Sequence, residues 1–234
     1  MAESVFTDGL LFLGAVNLTG QIRETSLVVS AETPDTTSLE DTSRNRVGGL
    51  KDVVLSAAGY FDSPPDSTLF SEIGVANTLI TACPTTTLGD PAFFFRALVG
   101  EYSPIQGTVG EVKGFTLNAG ADLGDLVRGY LMEFGTETVT GNGTGRDLGT
   151  VSAAQYLYAC AHVTAVSGNW DIIVQSDSTG SFLSPADQIT FSGITAVGDQ
   201  FDSVAGAITD DNFRIRFVEN SAGSITVAVA IGIQ

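Results

Sequence analysis

The chain has 234 residues and a formal net charge of −17, from 27 acidic and 10 basic side chains. That balance repels phosphates and anionic lipid, which argues against recognition of nucleic acid or of a membrane surface. No stretch reaches the ~18 apolar residues of a membrane span, and two cysteines without close spacing, Cys83 and Cys160, give neither a disulfide framework nor a metal or redox motif.

Gly, Thr and Ser are abundant and the apolar stretches are short and alternating, which predicts an all-β protein with many turns. Lys51 and Lys113 are the only lysines. The acid excess fits three causes: plain solubility, adaptation to high salt, where screening removes self-repulsion, or a lumen past which DNA slides without sticking.

Residues 1–20 read as an N-terminal arm: acids, three glycines and one apolar patch from Leu10 to Val16. The patch follows Glu3 and Asp8 rather than a basic region, so a signal peptide is not expected. Gln21–Ala31 alternates as a strand, with Leu27, Val29 and Ala31 on one face and Glu24, Ser26 and Ser30 on the other. A long polar loop, Glu32–Gly48, leads to a second strand with Val53, Leu55, Ala57 and Phe61 on one side. Hairpin loops usually have two to five residues, so a loop of this length is expected to have a job.

Ser63-Pro64-Pro65-Asp66 stops the strand. Asp66 or Ser67 is placed to cap a short helix carrying Leu69, Phe70 and Ile73, ended by Gly74. Strands are expected at Ala76–Ala82 and over Phe93–Val99, the latter apolar on both faces and therefore core or interface. Further strands are read at Gly107–Leu117 and Asp125–Phe134. The Gly-rich run at 136–150 is the best candidate for a linker, dividing a domain at 21–135 from one at 151–234. In the second half, alternating runs around Leu157–Ala165, Trp170–Val174, Ile189–Phe191, Phe213–Phe217 and Ile225–Ile233 predict an antiparallel β-sandwich or jelly roll.

Chemistry is sparse. The lone histidine, His162, shares a strand face with Cys160, and no third orienting group is evident. Asp199 and Asp210-Asp211-Asn212 offer oxygens without a calcium-loop spacing. Gly141–Arg146 lacks the Lys-Ser/Thr ending of a phosphate loop. No catalytic, cofactor or metal residue is assigned.

The order of elements carries a resemblance. A strand, a Thr-rich loop (Thr36-Thr37), Gly49-Leu50-Lys51-Asp52 opening the next strand and Gly59-Tyr60-Phe61-Asp62 closing it resemble the major tail tube proteins of tailed bacterial and archaeal viruses. The resemblance continues through the helix after Pro65, the strand Gly89–Gly100 and the Gly-rich strands to Phe134, a little over half the chain. It implies a tail-tube-type β-sandwich or barrel-forming domain whose copies form six-membered rings, stacked into a tube that conducts DNA without binding it specifically. It implies a virion tail location, assembly in the host cytoplasm, and tape-measure, tail terminator and tail tip proteins as partners. Glu32, Asp35, Glu40, Asp41, Arg44 and Arg46 are then inter-subunit candidates. The second half would sit outside the tube, with Tyr156, Tyr158 and Trp170 as host-surface candidates unless they are core. The alternative is a capsid decoration protein or a carbohydrate- or host-surface-binding module. A hydrolase on a β scaffold is the third reading. The acid excess with so few lysines points to a halophilic source.

Overall fold

The computed structural model describes residues 8–40 and 42–234. The fold is all-β with one short helix among the described residues. In chain order the strands are β1 (Leu10–Leu13), β2 (Val16–Asn17), β3 (Ile22–Ala31) and β4 (Lys51–Tyr60), then helix α1 (Ser63–Ser71). β5 (Thr78–Cys83), β6 (Pro91–Gln106), β7 (Gly114–Glu137), β8 (Gly141–Asn142) and β9 (Arg146–Asp147) follow. The last four are β10 (Tyr156–Asp177), β11 (Ala186–Ile194), β12 (Gly198–Ala205) and β13 (Asn212–Ile233).

Two compact units are built from interleaved segments. Unit 1 takes the described residues up to 20, then 78–94 and 127–234; unit 2 takes 21–77 and 95–126. This replaces the linear division at a 136–150 linker. The chain changes unit inside strands, between Phe94 and Phe95 in β6 and between Leu126 and Val127 in β7. No shift in composition marks those points. The supposed linker is ordered: Gly141 and Asn142 pair with Phe217 and Arg216, and Arg146 and Asp147 pair with Phe213 and Asn212. A run poor in apolar residues serves here as a strand edge.

In unit 1 the strands run in the order β11-β10-β13-β7-β6-β5-β1-β2, with β12 also on β10. The sequence suggested two strands on either side of Gly168-Asn169 and two on either side of Asn220–Gly223. Each pair is one long strand, β10 and β13, whose register slips at Ser167/Asn169. Gly168 takes φ +79° there, and a Cβ would lie 2.5 Å from the Ser221 carbonyl oxygen, so the bend needs glycine.

Both faces of the middle of this unit are buried, and the sequence of β13 shows how. Val227, Val229 and Ile231 point into one core with Leu157, Ala159, Ala161 and Val163. Ala228 and Ala230 point the other way, with Cys160, against Leu10, Phe12, Leu79 and Phe94. Small residues on that face leave room for the two phenylalanines, whose burial stabilises the unit by about 1.5–3 kcal/mol each. The apolar patch of the expected arm is thus strand β1: Leu10–Leu13 is buried and pairs with Ile80–Cys83 of β5. Residues 1–7 lie outside the described residues.

β7 and β13 approach so closely at Gly129 and Gly232 that a Cβ on Gly129 would meet the Ile231 carbonyl oxygen at 2.1 Å. Gly129→Ala is expected to destabilise by about 1–3 kcal/mol through overpacking against backbone, measured as a lower urea midpoint.

Unit 2 is a sheet in the order β3-β4-β7-β6, with α1 beside it. Val53, Leu55 and Ala57 of β4 and Phe115, Leu117 and Ala119 of β7 are buried, as the two-residue period predicts. The helix begins earlier than expected: its N-cap is Asp62, with no side-chain capping bond, and the prolines occupy its first positions. Asp66 instead accepts a hydrogen bond from the Tyr102 hydroxyl at 2.8 Å, fastening α1 to β6. Leu69 is buried but Phe70 is 65% exposed, so the predicted apolar face is only partly covered.

Candidate functional site

β3 and β4 pair from Ile22–Gly59 to Ala31–Lys51, with one register shift at Arg23, and do not stop there. The ladder continues as single bonds. Glu32 N–H donates to the Leu50 carbonyl at 2.9 Å, Gly49 N–H to Glu32 at 2.6 Å, Val47 N–H to Pro34 at 3.1 Å and Thr36 N–H to Asn45 at 2.9 Å. Asp35 and Arg46 form an isolated antiparallel bridge. The long loop is therefore a second storey of the hairpin. The tip is organised by Asp35, whose carboxylate accepts from the Thr37 hydroxyl and from Thr37 N–H at 2.9 Å. Those two bonds, the hydroxyl first, hold its carboxyl below the ordinary aspartate value. The Thr37 hydroxyl in turn accepts from Asn45 N–H at 3.0 Å.

This arm is exposed on both faces. Every described residue from Val28 to Asp52 is exposed. Val28 (52%), Val29 (54%), Val47 (55%), Leu50 (77%) and Leu39 are exposed with the polar residues. The two-residue period is present, yet past Val53 nothing within the unit covers the face that Leu55 buries. An isolated two-stranded ribbon is marginal in water. β3 is also an edge of its sheet, ten residues long and without proline, the type of edge that other chains pair with.

Glu32, Asp35, Glu40, Arg44 and Arg46 all sit on this exposed arm, and Asp41 lies outside the described residues. The middle of the outer face of the unit 2 sheet is lined by short or acidic side chains, with Val28 opposite Val54 toward one end and Arg23 over the Tyr60 ring at the other. Ser26 lies opposite Ser56, and Ser56 opposite Asn118; Glu24 lies opposite Ala58, and Ala58 opposite Thr116. The Asn118 side-chain amide donates to Glu101 at 2.9 Å and that of Gln106 to Thr116 at 2.9 Å. At the body end of the same hairpin a groove of about 320 Å³ opens between Glu24, Gly59 and the 107–113 turn. Sequence reasoning placed a strand across that turn. The glycines at 107 and 110, both at positive φ, were the signal against it.

The three aromatic candidates of unit 1 separate. Tyr156 is 47% exposed and Tyr158 is half-buried against it and against Phe201, with ring centroids 6.0 Å apart in both pairs. Trp170 is fully buried and its indole N–H donates to the Ser167 carbonyl at 2.9 Å, so it is core and not a surface ring. The alternation around Ile172 and Val174 points it inward.

Cys160 and His162 do meet, through Thr81. The Thr81 hydroxyl lies 2.7 Å from His162 Nε2 and 3.5 Å from Cys160 Sγ. His162 Nδ1 lies 2.8 Å from the Gly14 carbonyl, which only accepts, so Nδ1 carries the proton and Nε2 accepts from Thr81. The imidazole is stacked on Phe12 with centroids 5.2 Å apart and has no solvent access. Burial lowers its pKa to about 4 and raises that of Cys160 to about 12. A protonated thiol sealed beside a neutral imidazole is a packing arrangement, not an activated nucleophile. Asp199 accepts from Leu79 N–H at 2.8 Å and Asp210 from the Ser176 hydroxyl at 2.6 Å, both as structural partners. No cluster of metal-ligating side chains occurs among the described residues.

No family model matches the chain, and no curated protein does. Among solved structures the chain is similar to a component of the virion of a native gene transfer agent particle, at 23% identity and TM-score 0.42, over 51% of this chain and 93% of that one. It is similar to a component of the tail of an empty gene transfer agent particle with C6 symmetry, at 20% identity and TM-score 0.40, over 50% and 92%. It is also similar to the Dit protein of phage SPP1, described as a hub adsorption apparatus protein of phages infecting Gram-positive hosts, at 12% identity and TM-score 0.42, over 97% and 100%.

Proposed function

We propose that this chain is the repeating subunit of a viral tail tube, closing into rings of six that stack around a DNA-conducting lumen. The observation that carries the reading is the β3–β4 arm, a hairpin with an open edge, exposed on both faces and bearing apolar residues. A subunit of this kind is complete only beside copies of itself.

The unit 2 sheet ends on β3 at one side and on its stretch of β6 at the other, where Ile73 makes a single parallel bridge to Val99. Setting β3 of one copy beside β6 of the next is a head-to-tail contact between two different patches, which closes a ring and removes the edges. The outer sheet face then turns toward the lumen. Ser26, Ser56, Thr116 and Asn118 offer no cationic group to a phosphate, Glu24 and Glu101 repel it, and Arg23 is stacked on the Tyr60 ring, so DNA slides past. In unit 1 the half-exposed Tyr156 is kept as the host-surface candidate. The tube's ends would be met by tape-measure, terminator and tip proteins in the host cytoplasm. The net charge of −17 suits a high-salt medium, where screening quiets repulsion between neighbouring subunits.

Negative-stain microscopy of the purified chain in molar KCl tests this. Hollow rings or tubes of uniform width are expected. Monodisperse monomers at high concentration, with or without salt, overturn the reading.

A further inference from the structure

The strand order of unit 1 ends at β5-β1-β2, and β2 is two residues long. The β1–β2 hairpin is therefore the outermost piece of that sheet. β1 pairs with β5 only from Leu10–Cys83 to Leu13–Ile80. The turn that follows is fastened by a closed circuit. Gly14 N–H donates to the Leu79 carbonyl at 2.8 Å, and Leu79 N–H donates to the Asp199 carboxylate at 2.8 Å. Asp199 lies opposite His162 in the β10–β12 ladder. His162 Nδ1–H closes the circuit on the Gly14 carbonyl at 2.8 Å, and its ring lies on Phe12 of β1. One side chain of β10 thus grips both the strand and the turn of the edge hairpin.

That grip depends on a neutral ring. Nε2 accepts from the Thr81 hydroxyl at 2.7 Å. A proton on Nε2 removes the acceptor and turns the hydroxyl toward Cys160 Sγ, 3.5 Å away. The imidazolium is then sealed from water, and few groups face it. Asp199 of β12 is already bonded to Leu79. The thiols of Cys160 on β10 and Cys83 on β5 are uncharged, and β1, β2 and the facing Ala228 of β13 bring nothing that titrates. A buried charge so poorly compensated favours any opening that wets it. β10 is paired on both sides along Leu157–Val163, whereas the hairpin has only β5.

We infer that His162 is a pH-sensitive latch: its neutral ring holds the β1–β2 hairpin on β5, and its protonation lets the hairpin open while β10, β12 and β13 stay paired. Opening leaves Thr78–Cys83, an uncharged strand, as a free sheet edge. The inference concerns unit 1 alone and does not rest on the tube reading.

Leu10–Leu13 is buried, so the open state is a minor one and is read from exchange rates. Burial lowers the His162 pKa from 6.5 to about 4 in the closed state. At pH ~4.5 the open state takes up a proton that the closed one refuses, so opening should be about 100-fold more populated than at neutral pH. Hydrogen exchange of the unassembled chain, referred to the intrinsic rate at each pH, should show that loss of protection over 10–14 and in the β5 amides that face β1. Protection over 157–163 and 225–231 should hold. Labelling of Cys83 with dithiodipyridine, which reacts in acid, should quicken by the same factor relative to free cysteine. His162→Gln takes up no proton and should show neither change. Unchanged protection at 10–14, equal loss in every strand of unit 1, or wild-type behaviour of His162→Gln overturns the latch. If that variant does not fold, the first two outcomes in the wild-type chain still decide.

Discussion

Replacing residues 33–48 by a two-residue Asn-Gly turn should abolish tubes and leave a folded monomer. The excised segment is exposed along its described length, so its removal uncovers no core. The new turn joins Glu32 to Gly49, which are already bonded across the ladder at 2.6 Å, and Asn-Gly suits a tight hairpin. Shortening the connection reduces the closure entropy slightly. Stability should change by less than about 1 kcal/mol, as for surface changes generally. Assembly should fall far more, because the arm's apolar residues contribute only when another copy covers them. Sedimentation together with a urea titration separates the two effects. A truncated chain that still polymerises would show that the arm is ornamental.

Acidification should weaken unit 1 before any carboxylate with a lowered pKa is protonated, and the effect should trace to His162. Its ring is neutral in the fold, with a pKa lowered from 6.5 to about 4 by burial, against smaller opposing effects of the Gly14 bond and the nearby Asp199. The unfolded chain takes up a proton near 6.5 and the folded one does not until about 4. Within that window the unfolded state binds more protons, so stability falls as pH falls. The loss starts near pH 6.5, amounts to about 3 kcal/mol by pH 4 at 1.36 kcal/mol per pH unit, and then levels off. Asp35 and Asp177, whose pKa values are lowered by their hydrogen bonds, lose their contribution at lower pH. Urea midpoints of the unassembled chain at pH 7 and pH ~4.5 should differ for wild type and much less for His162→Gln. Equal slopes in both proteins would assign the acid response elsewhere.

Much of the fold could be read from the residues, and the failures share a cause. Period-two alternation located the cores of β4, β10 and β13, while Trp170, offered as a host-surface candidate, is core. It could not show that Gly168 and Ala222-Gly223 are bulges within long strands rather than turns between short ones, because the same residue types serve both and the distinction lies in pairing across β10 and β13. The 136–150 run looked like a tether because it is polar; its order comes from backbone bonds to β13, to which side-chain character is nearly blind. At the candidate site the length of the loop was the informative signal, and the loop holds the exposed arm. What the loop's composition could not reveal was its internal ladder, set by main-chain pairing from Glu32 to Leu50, or the groove, built from residues more than eighty positions apart.

The central strand of unit 1 is also the last of the described strands in chain order. β13 pairs with β10, β7, β8 and β9, and it spans 212–233. Unit 2 has all its segments once residue 126 is made. During synthesis, then, the half bearing the sticky arm can mature while the other half waits, with β1, β5 and β10 made but their sheet still open in the middle. Nascent chains on neighbouring ribosomes could seize one another's arms prematurely, and a polymer would be seeded from half-made parts. On the tube reading, late closure of unit 1 would put timing, as well as shape, among the controls on when polymerisation begins.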